Sequence, residues 1–172
     1  LEKLQNWSYE SLDNDLLKES FVSAQKVSIE AKKKEAYRIV QLVTGTATTT
    51  AGINPIPLSD ALLIAPQQIV MCMRIAHIFK FDAMGEGVTA LLKQQVISLV
   101  GKQLAASLTK FIPVVGNIIN AGVAGTLTFA LGATMIEIYS KAYIEYLDNG
   151  KLPDWTVVFS AGKFFEIFSK NK

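Results

Sequence analysis

Two long apolar stretches without a single charged residue constrain the fold of this chain more than any other feature. They cover residues 39–59 and 111–136, and the second is 26 residues long. Only 19% of the whole chain is charged, against about 25% in an average soluble domain. Such stretches must be buried against each other or meet lipid, and the second is long enough to span a bilayer. We predict a buried central hairpin. The alternative is a segment that inserts into lipid, or lies on it, in a second state.

Helical periodicity recurs along the sequence, whereas strand patterns are nearly absent. Apolar residues return at spacings of three and four, which is typical of amphipathic helices. Pro66 should kink the helix that contains it, and Asn149 followed by Gly150 predicts a left-handed helix end. The chain is therefore predicted to be all-α. The helices should cover about residues 12–43, 60–81, 88–112 and 115–148, with a short aromatic-rich helix after Pro153 that docks on the domain.

Prolines interrupt both apolar stretches. Pro55 and Pro57 should end one helix, and Pro113 followed by Gly116 should end another, because proline removes a backbone donor and fixes φ. The Ile-Pro pairs at these two breaks lie 56 positions apart, which indicates an internal repeat unless the match is coincidental. We predict a compact bundle of about five to six helices, built from two Pro-broken helical hairpins.

The residue types of common catalytic and metal sites are scarce. His77 is the sole histidine and Cys72 the sole cysteine, and no Gly-x-x-x-x-Gly-Lys-Ser/Thr phosphate loop is present. The apolar neighbours of Cys72 predict an inert core thiol, and His77 is expected in the core or at its boundary. A net charge of +2 without a basic, aromatic-interleaved patch argues against a nucleic-acid partner. We predict a non-catalytic chain that itself holds no cofactor and no metal.

A few charged positions stand out. Asp60 is the only charge between residues 39 and 73. We expect Ser59 or Asp60 to cap or charge the start of a helix; a switch role for Asp60 is the alternative. Arg74 is its expected partner if the hairpin folds back. The lysines at 32–34 predict a solvated helix face, with a contact to anionic lipid or an acidic partner as the alternative. The structural or switch candidates are Pro55, Pro57, Asp60, Arg74, Pro113 and Gly116.

Several short segments together resemble a known family. This family is the helical C-terminal domain of unknown function that follows the G domain in a group of Era-like bacterial GTPases. The resemblance covers about residues 21–146, and its motifs are moderately specific. It rests on residues 21–27 (FVSAQKV), 32–34 (KKK), 54–57 (NPIP) with Asp60, 71–74 (MCMR) and 111–116 (FIPVVG).

The resemblance implies an organisation and a function. Residues 1–20 would be the connector from an upstream G domain, and residues 21–172 a single helical domain. GTP and Mg²⁺ would bind in the G domain, and the family assigns no catalytic residue to the helical part. The implied function is a non-catalytic effector that relays nucleotide state to a partner or membrane, in the cytoplasm or at the inner face of the membrane. The alternatives are a peripheral membrane-binding or membrane-perturbing protein and an enzyme with an undetected site.

Overall fold

The protein is all-helical in every part that the structure, a computed structural model, describes. The described residues are 2–24, 28–53, 57–81, 85–108 and 116–171. They form eight helices and no strand, which confirms the predicted fold class with a helix count slightly above the expected five to six. The helices are α1 Glu2–Glu10, α2 Asp15–Ala24, α3 Ile29–Ile53, α4 Pro57–Ile78, α5 Glu86–Leu108, α6 Gly116–Asn149, α7 Trp155–Val158 and α8 Ala161–Lys170.

The single helix predicted over residues 12–43 is wrong, because α2 ends at Ala24 and α3 starts afresh at Ile29. The reason is local capping. The Ser28 hydroxyl accepts a hydrogen bond from the backbone N–H of Ala31 at 3.2 Å, as an N-cap residue does. Asn14 does the same for Leu16 at the start of α2, at 2.8 Å. Ser28 therefore begins a helix instead of lying on the apolar face of a longer one.

The predicted proline breaks separate the helices as expected. Helix α4 begins at Pro57, a position where proline is tolerated because the first helical N–H has no intrahelical acceptor. The helix has already begun there, so the expected cap at Ser59 or Asp60 is wrong. Asp60 is its fourth residue and lies near the helix start, where its charge was the other expectation. Pro66 lies inside α4. Pro55 and Pro113 lie outside the described residues.

Helix α6 matches its prediction closely. It begins at Gly116 and ends at Asn149, within about one residue of the predicted limits. Gly150 adopts a φ of 69°, and its N–H donates to the Tyr146 carbonyl at 2.9 Å. This is the left-handed helix end that the sequence predicted.

The core is centred on α3, α4 and α6, which pack against one another. Helices α3 and α6 approach each other closely at Gly132, which lies directly against the Val40 side chain. Cys72 and Tyr139 are fully buried in the same core. The buried thiol confirms the predicted role of Cys72 as a core residue.

The aromatic C-terminal segment docks on this core, as predicted. Asp154 caps α7 by accepting from the Thr156 N–H at 2.9 Å. Trp155 then meets Phe81 edge-to-face, with ring centroids 5.0 Å apart. The other aromatic side chains of the segment that are buried in the core are Phe159, Phe164 and Phe168.

Close contact at Gly132 predicts a destabilising effect for Gly132→Ala. A Cβ there would lie 2.7 Å from Val40 Cγ1 and 3.1 Å from its Cβ. We expect a net loss of about 1–3 kcal/mol, even though alanine favours helix. Gly45→Ala is the matched control, because nothing lies within 4 Å of its added Cβ, and it should be neutral or stabilising. Urea unfolding measures both, and the double variant Val40→Ala/Gly132→Ala should recover part of the loss.

Candidate functional site

The most unusual residue of the molecule is Lys32, which is completely buried. Its ammonium donates to the backbone carbonyls of Val22 at 3.1 Å and Ser23 at 3.0 Å. A third bond, at 2.7 Å, goes to the carbonyl of Ile78. These bonds use all three donors of the ammonium. The predicted solvated lysine face is thus wrong for Lys32, although Lys34 is exposed.

Lys32 lies where two helices end together. Val22 and Ser23 belong to the last turn of α2, and Ile78 is the last residue of α4. Helix C-termini carry unpaired carbonyls and a partial negative charge, so one buried cation satisfies both ends. The ring of Tyr143 faces the ammonium at 5.0 Å, which adds a cation–π contact. Burial, helped by the nearby charge of Lys80, lowers the pKa of Lys32 to about 8.

The local turn after α4 leaves the Ile78 carbonyl available for Lys32. Lys80 adopts a left-handed conformation with a φ of 63°. This allows the Phe81 N–H to reach back to the Ala76 carbonyl at 2.8 Å. The Ser23 hydroxyl also donates to the carbonyl of His77, at 2.8 Å. The ends of α2 and α4 are therefore joined by two independent side chains.

A second group of polar contacts joins α2 to α3 and α4. Glu19 is buried and receives two bonds from the Arg74 guanidinium, one from Nη2 to Oε1 and one from Nε to Oε2 at 3.3 Å. Arg38 Nη2 lies 4.0 Å from the same carboxylate. A buried carboxylate is stable only when such partners replace water. Arg74 therefore pairs with a residue of α2, and α4 does not fold back on itself to form this pair.

Arg38 is the centre of this network. Its Nε and Nη2 donate to Oε1 of buried Glu35 at 2.9 and 2.7 Å, and its Nη1 lies 3.2 Å from Asp15. The Tyr9 hydroxyl donates to the other oxygen of Glu35. Burial and this bond raise the pKa of Tyr9 to about 12. We call Asp15, Glu19, Glu35, Arg38 and Arg74 the ion-pair network, and residues 2–24 the N-terminal arm.

The network connects the N-terminal arm to the bundle mechanically. It contains three carboxylates and two guanidinium groups, so its formal charge is −3 + 2 = −1. The two buried carboxylates, Glu19 and Glu35, accept hydrogen bonds from arginine side chains of α3 and α4. The network therefore joins α2, α3 and α4 through hydrogen-bonded ion pairs.

The predicted candidates do not come together in one place. Asp60 and Arg74 belong to the same helix, α4, 14 residues apart, which corresponds to about 21 Å along the axis. The expected pairing between them is therefore wrong, because no hairpin separates them. Pro57 and Gly116 begin α4 and α6. Pro55, Pro113 and the side chain of Asp60 lie outside the described residues.

The other chemistry-bearing side chains that the structure describes do not form a second centre. His77 is partly buried beside Ser23. Among the described residues, no group of three histidine, cysteine, aspartate or glutamate side chains could hold a metal ion. Within the same part of the chain, the helices are too short or too polar to cross a membrane.

The buried thiol and ammonium predict opposite dependences on pH. Burial raises the pKa of Cys72 from 9.0 to about 12, so the unfolded thiol ionises first and stability falls as pH rises above about 9. Because the pKa of Lys32 is lowered on folding, its contribution to the free energy of unfolding increases as pH rises above about 8. To separate the two effects, the stability of Cys72→Ala is compared with that of the unsubstituted chain, since both contain Lys32. Cys72→Ala should gain about 1.4 kcal/mol relative to that chain between pH 7 and pH 10. Urea unfolding at both values measures this, and a constant difference would contradict it.

The candidate site thus consists of a buried lysine that binds the C-terminal carbonyls of α2 and α4, together with the ion-pair network of five charged side chains. Both connect the N-terminal arm to the bundle. Comparison of the chain with protein-family models, with curated proteins and with solved structures found no match.

Proposed function

We propose that this chain is a non-catalytic effector domain of a GTP-binding protein. In this proposal an upstream G domain binds GTP and Mg²⁺, and the N-terminal arm carries its nucleotide-dependent movement to the helical bundle. The observation that supports the proposal best is the pair between buried Glu19 and partly exposed Arg74. It ties α2, the second helix of the N-terminal arm, to α4 in the centre of the bundle. The family resemblance of residues 21–146 supports the identity of the upstream domain.

The physical argument concerns how a displacement can travel. A solvated linker absorbs movement, because its side chains exchange one water contact for another at little cost. A buried carboxylate cannot move away from its guanidinium partner without a large loss of free energy. Helix α2 is held through its Glu19 carboxylate and also, by Lys32, through the carbonyls at its C-terminus. A displacement of the N-terminal arm therefore shifts α3 and α4 as well. Switching elements of this kind work through two discrete packings.

The first test is the gene itself. We expect an open reading frame that continues upstream of Leu1 and encodes a P-loop followed by a G domain. A reading frame that starts near Leu1 would defeat the proposal. The same sequence determination distinguishes an effector domain in cis from a free-standing helical protein.

The second test follows the nucleotide state into the bundle. Amide hydrogen exchange is measured on the full-length protein with GDP and with a non-hydrolysable GTP analogue. We expect a difference in protection over residues 2–24 that extends into α3 and α4. In Arg74→Met the difference should remain in the arm and shrink in α4, because the contacts of Lys32 and Ser23 still join α2 to α4. Lys163→Met, which removes an exposed cation on α8, is the control. Identical exchange in both nucleotide states would contradict the proposal.

The membrane alternative makes a different prediction. Flotation with liposomes at low and high salt would show whether the chain associates with lipid, as a peripheral or membrane-perturbing protein should. Absence of flotation at every salt concentration would remove this alternative. An effector that relays its signal to a membrane would float only in one nucleotide state.

A further inference from the structure

One face of α1 is apolar and has no partner within the described fold. Leu4 and Trp7 are 66% and 67% exposed, and they lie one helical turn apart on the same side. Tyr9 projects to the opposite side of the helix, where its hydroxyl is bound to Glu35. The bond of Tyr9 therefore holds the Leu4–Trp7 face away from the bundle. We call these two side chains the α1 face.

The same molecule carries an apolar groove of matching character. It has a volume of about 540 Å³ and lies along α4, between α2 and α5. Half-buried Ile69 and Met73 line it, and the exposed side chains of Leu16 and Val70 stand at its edges. We call this cavity the α4 groove.

The dimensions of the two surfaces agree. Helix α1 has nine residues, which corresponds to about 13.5 Å. The α4 segment that lines the groove runs from Ile69 to His77, which is also nine residues and corresponds to about 13.5 Å. Short amphipathic helices dock in this way, by placing apolar residues of adjacent turns in a hydrophobic groove.

The net charges of the two surfaces favour α1 as the occupant of the α4 groove. Helix α1 contains Glu2, Glu10 and Lys3, a net charge of −1. The α4 groove is lined by Arg74, Lys93 and Glu19, a net charge of +1. A membrane is a poorer match, since the N-terminal arm contains five acidic and two basic residues, a net charge of −3 that anionic lipid would repel.

We infer that the α1 face of one molecule seats in the α4 groove of a second copy. The bond between Tyr9 and Glu35 directs the α1 face outward, so the groove of another molecule can receive it. Each copy carries both surfaces, and a twofold arrangement makes the contact twice. This inference does not depend on the proposed GTPase function.

Sedimentation equilibrium of the 172-residue chain, from micromolar concentrations to about 200 µM, tests the inference. We expect a concentration-dependent dimer. Trp7→Glu and Val70→Glu should each weaken it at least about tenfold, because each places a charge in the apolar contact. Both side chains are exposed, so circular dichroism should show an unchanged fold. Val157→Glu on α7, where the side chain is 53% exposed, is the control and should leave association unchanged.

Mixing the two variants gives a sharper test. Trp7→Glu retains an intact groove and Val70→Glu an intact α1 face, so the mixture can form one of the two contacts. It should associate more strongly than either variant alone. A wild-type chain that stays monomeric, a Val157→Glu effect as large as the others, or a mixture no better than its components would overturn the inference. A monomer that floats with liposomes through Trp7 would also overturn it and assign the α1 face to lipid.

Discussion

Lys32→Met is expected to destabilise the protein by about 3–5 kcal/mol, because it leaves three backbone carbonyls without their buried donor. Methionine fills a similar volume but donates no hydrogen bond. The carbonyls of Val22, Ser23 and Ile78 would then lose their hydrogen bonds to the ammonium. The side chain at position 32 would still fill the space around them. Each buried carbonyl left unpaired costs about 1–3 kcal/mol. Urea unfolding followed by circular dichroism at neutral pH measures the loss.

The neighbouring lysine provides the control for this experiment. Lys33 is on the same helix but is partly exposed, and it forms a 3.5 Å pair with exposed Glu30. Lys33→Met should therefore change stability by no more than about 0.5 kcal/mol. Lys32→Arg should also be destabilising, because a planar guanidinium cannot present three converging donors as an ammonium does. Equal effects of Lys32→Met and Lys33→Met would contradict the role assigned to Lys32.

Arg74→Met should cost about 2–4 kcal/mol. The substitution leaves the buried Glu19 carboxylate with Arg38 alone, whose Nη2 is 4.0 Å away. That residual partner makes the loss somewhat smaller than for a fully isolated buried charge. Arg74→Lys keeps the positive charge but cannot make both bonds to Glu19, so it should fall between wild type and Arg74→Met.

A double-mutant cycle separates the pair from its surroundings. Glu19→Gln removes the charge that Arg74→Met leaves unpaired, so the double variant should be more stable than the sum of the single losses predicts. We expect a coupling energy of about 1–3 kcal/mol. Additive losses would show that Glu19 and Arg74 act independently and would weaken the proposed path from α2 to α4.

The sequence was sufficient to predict the helices that have strong local signals. The limits of α6 follow from a proline-containing break before it and from Asn149 and Gly150 after it. Pro57 similarly marks the start of α4. The boundary between α2 and α3 was missed because Ser28 is compatible with a helix interior as well as with a cap. The Ser28 hydroxyl accepts a hydrogen bond from the N–H of Ala31 only when the chain has turned at that point.

The candidate site was much harder to predict, because its residues are separated in sequence. Lys32 belongs to a run of three lysines, and only the packing of α2 and α4 distinguishes it from Lys33. Glu19 and Arg74 are 55 positions apart. One usable signal was Arg74, an isolated base in an apolar helix, which requires some acidic partner. The local spacing of Glu35 and Arg38 also indicated a pair at i, i+3, but it could not indicate the role of Asp15 or Tyr9.

The position of Lys32 has a consequence for where this protein can be divided. The sequence-based boundary at residue 20 falls inside α2 (Asp15–Ala24), one residue after Glu19. A fragment starting at residue 21 would retain Arg74 and Lys32 but lose the carboxylate and most of the helix that neutralise and cover them. We expect such a fragment to be degraded or to precipitate on expression. Residues 15–24 therefore belong with the bundle, because their contacts with Lys32 and Arg74 cross that boundary.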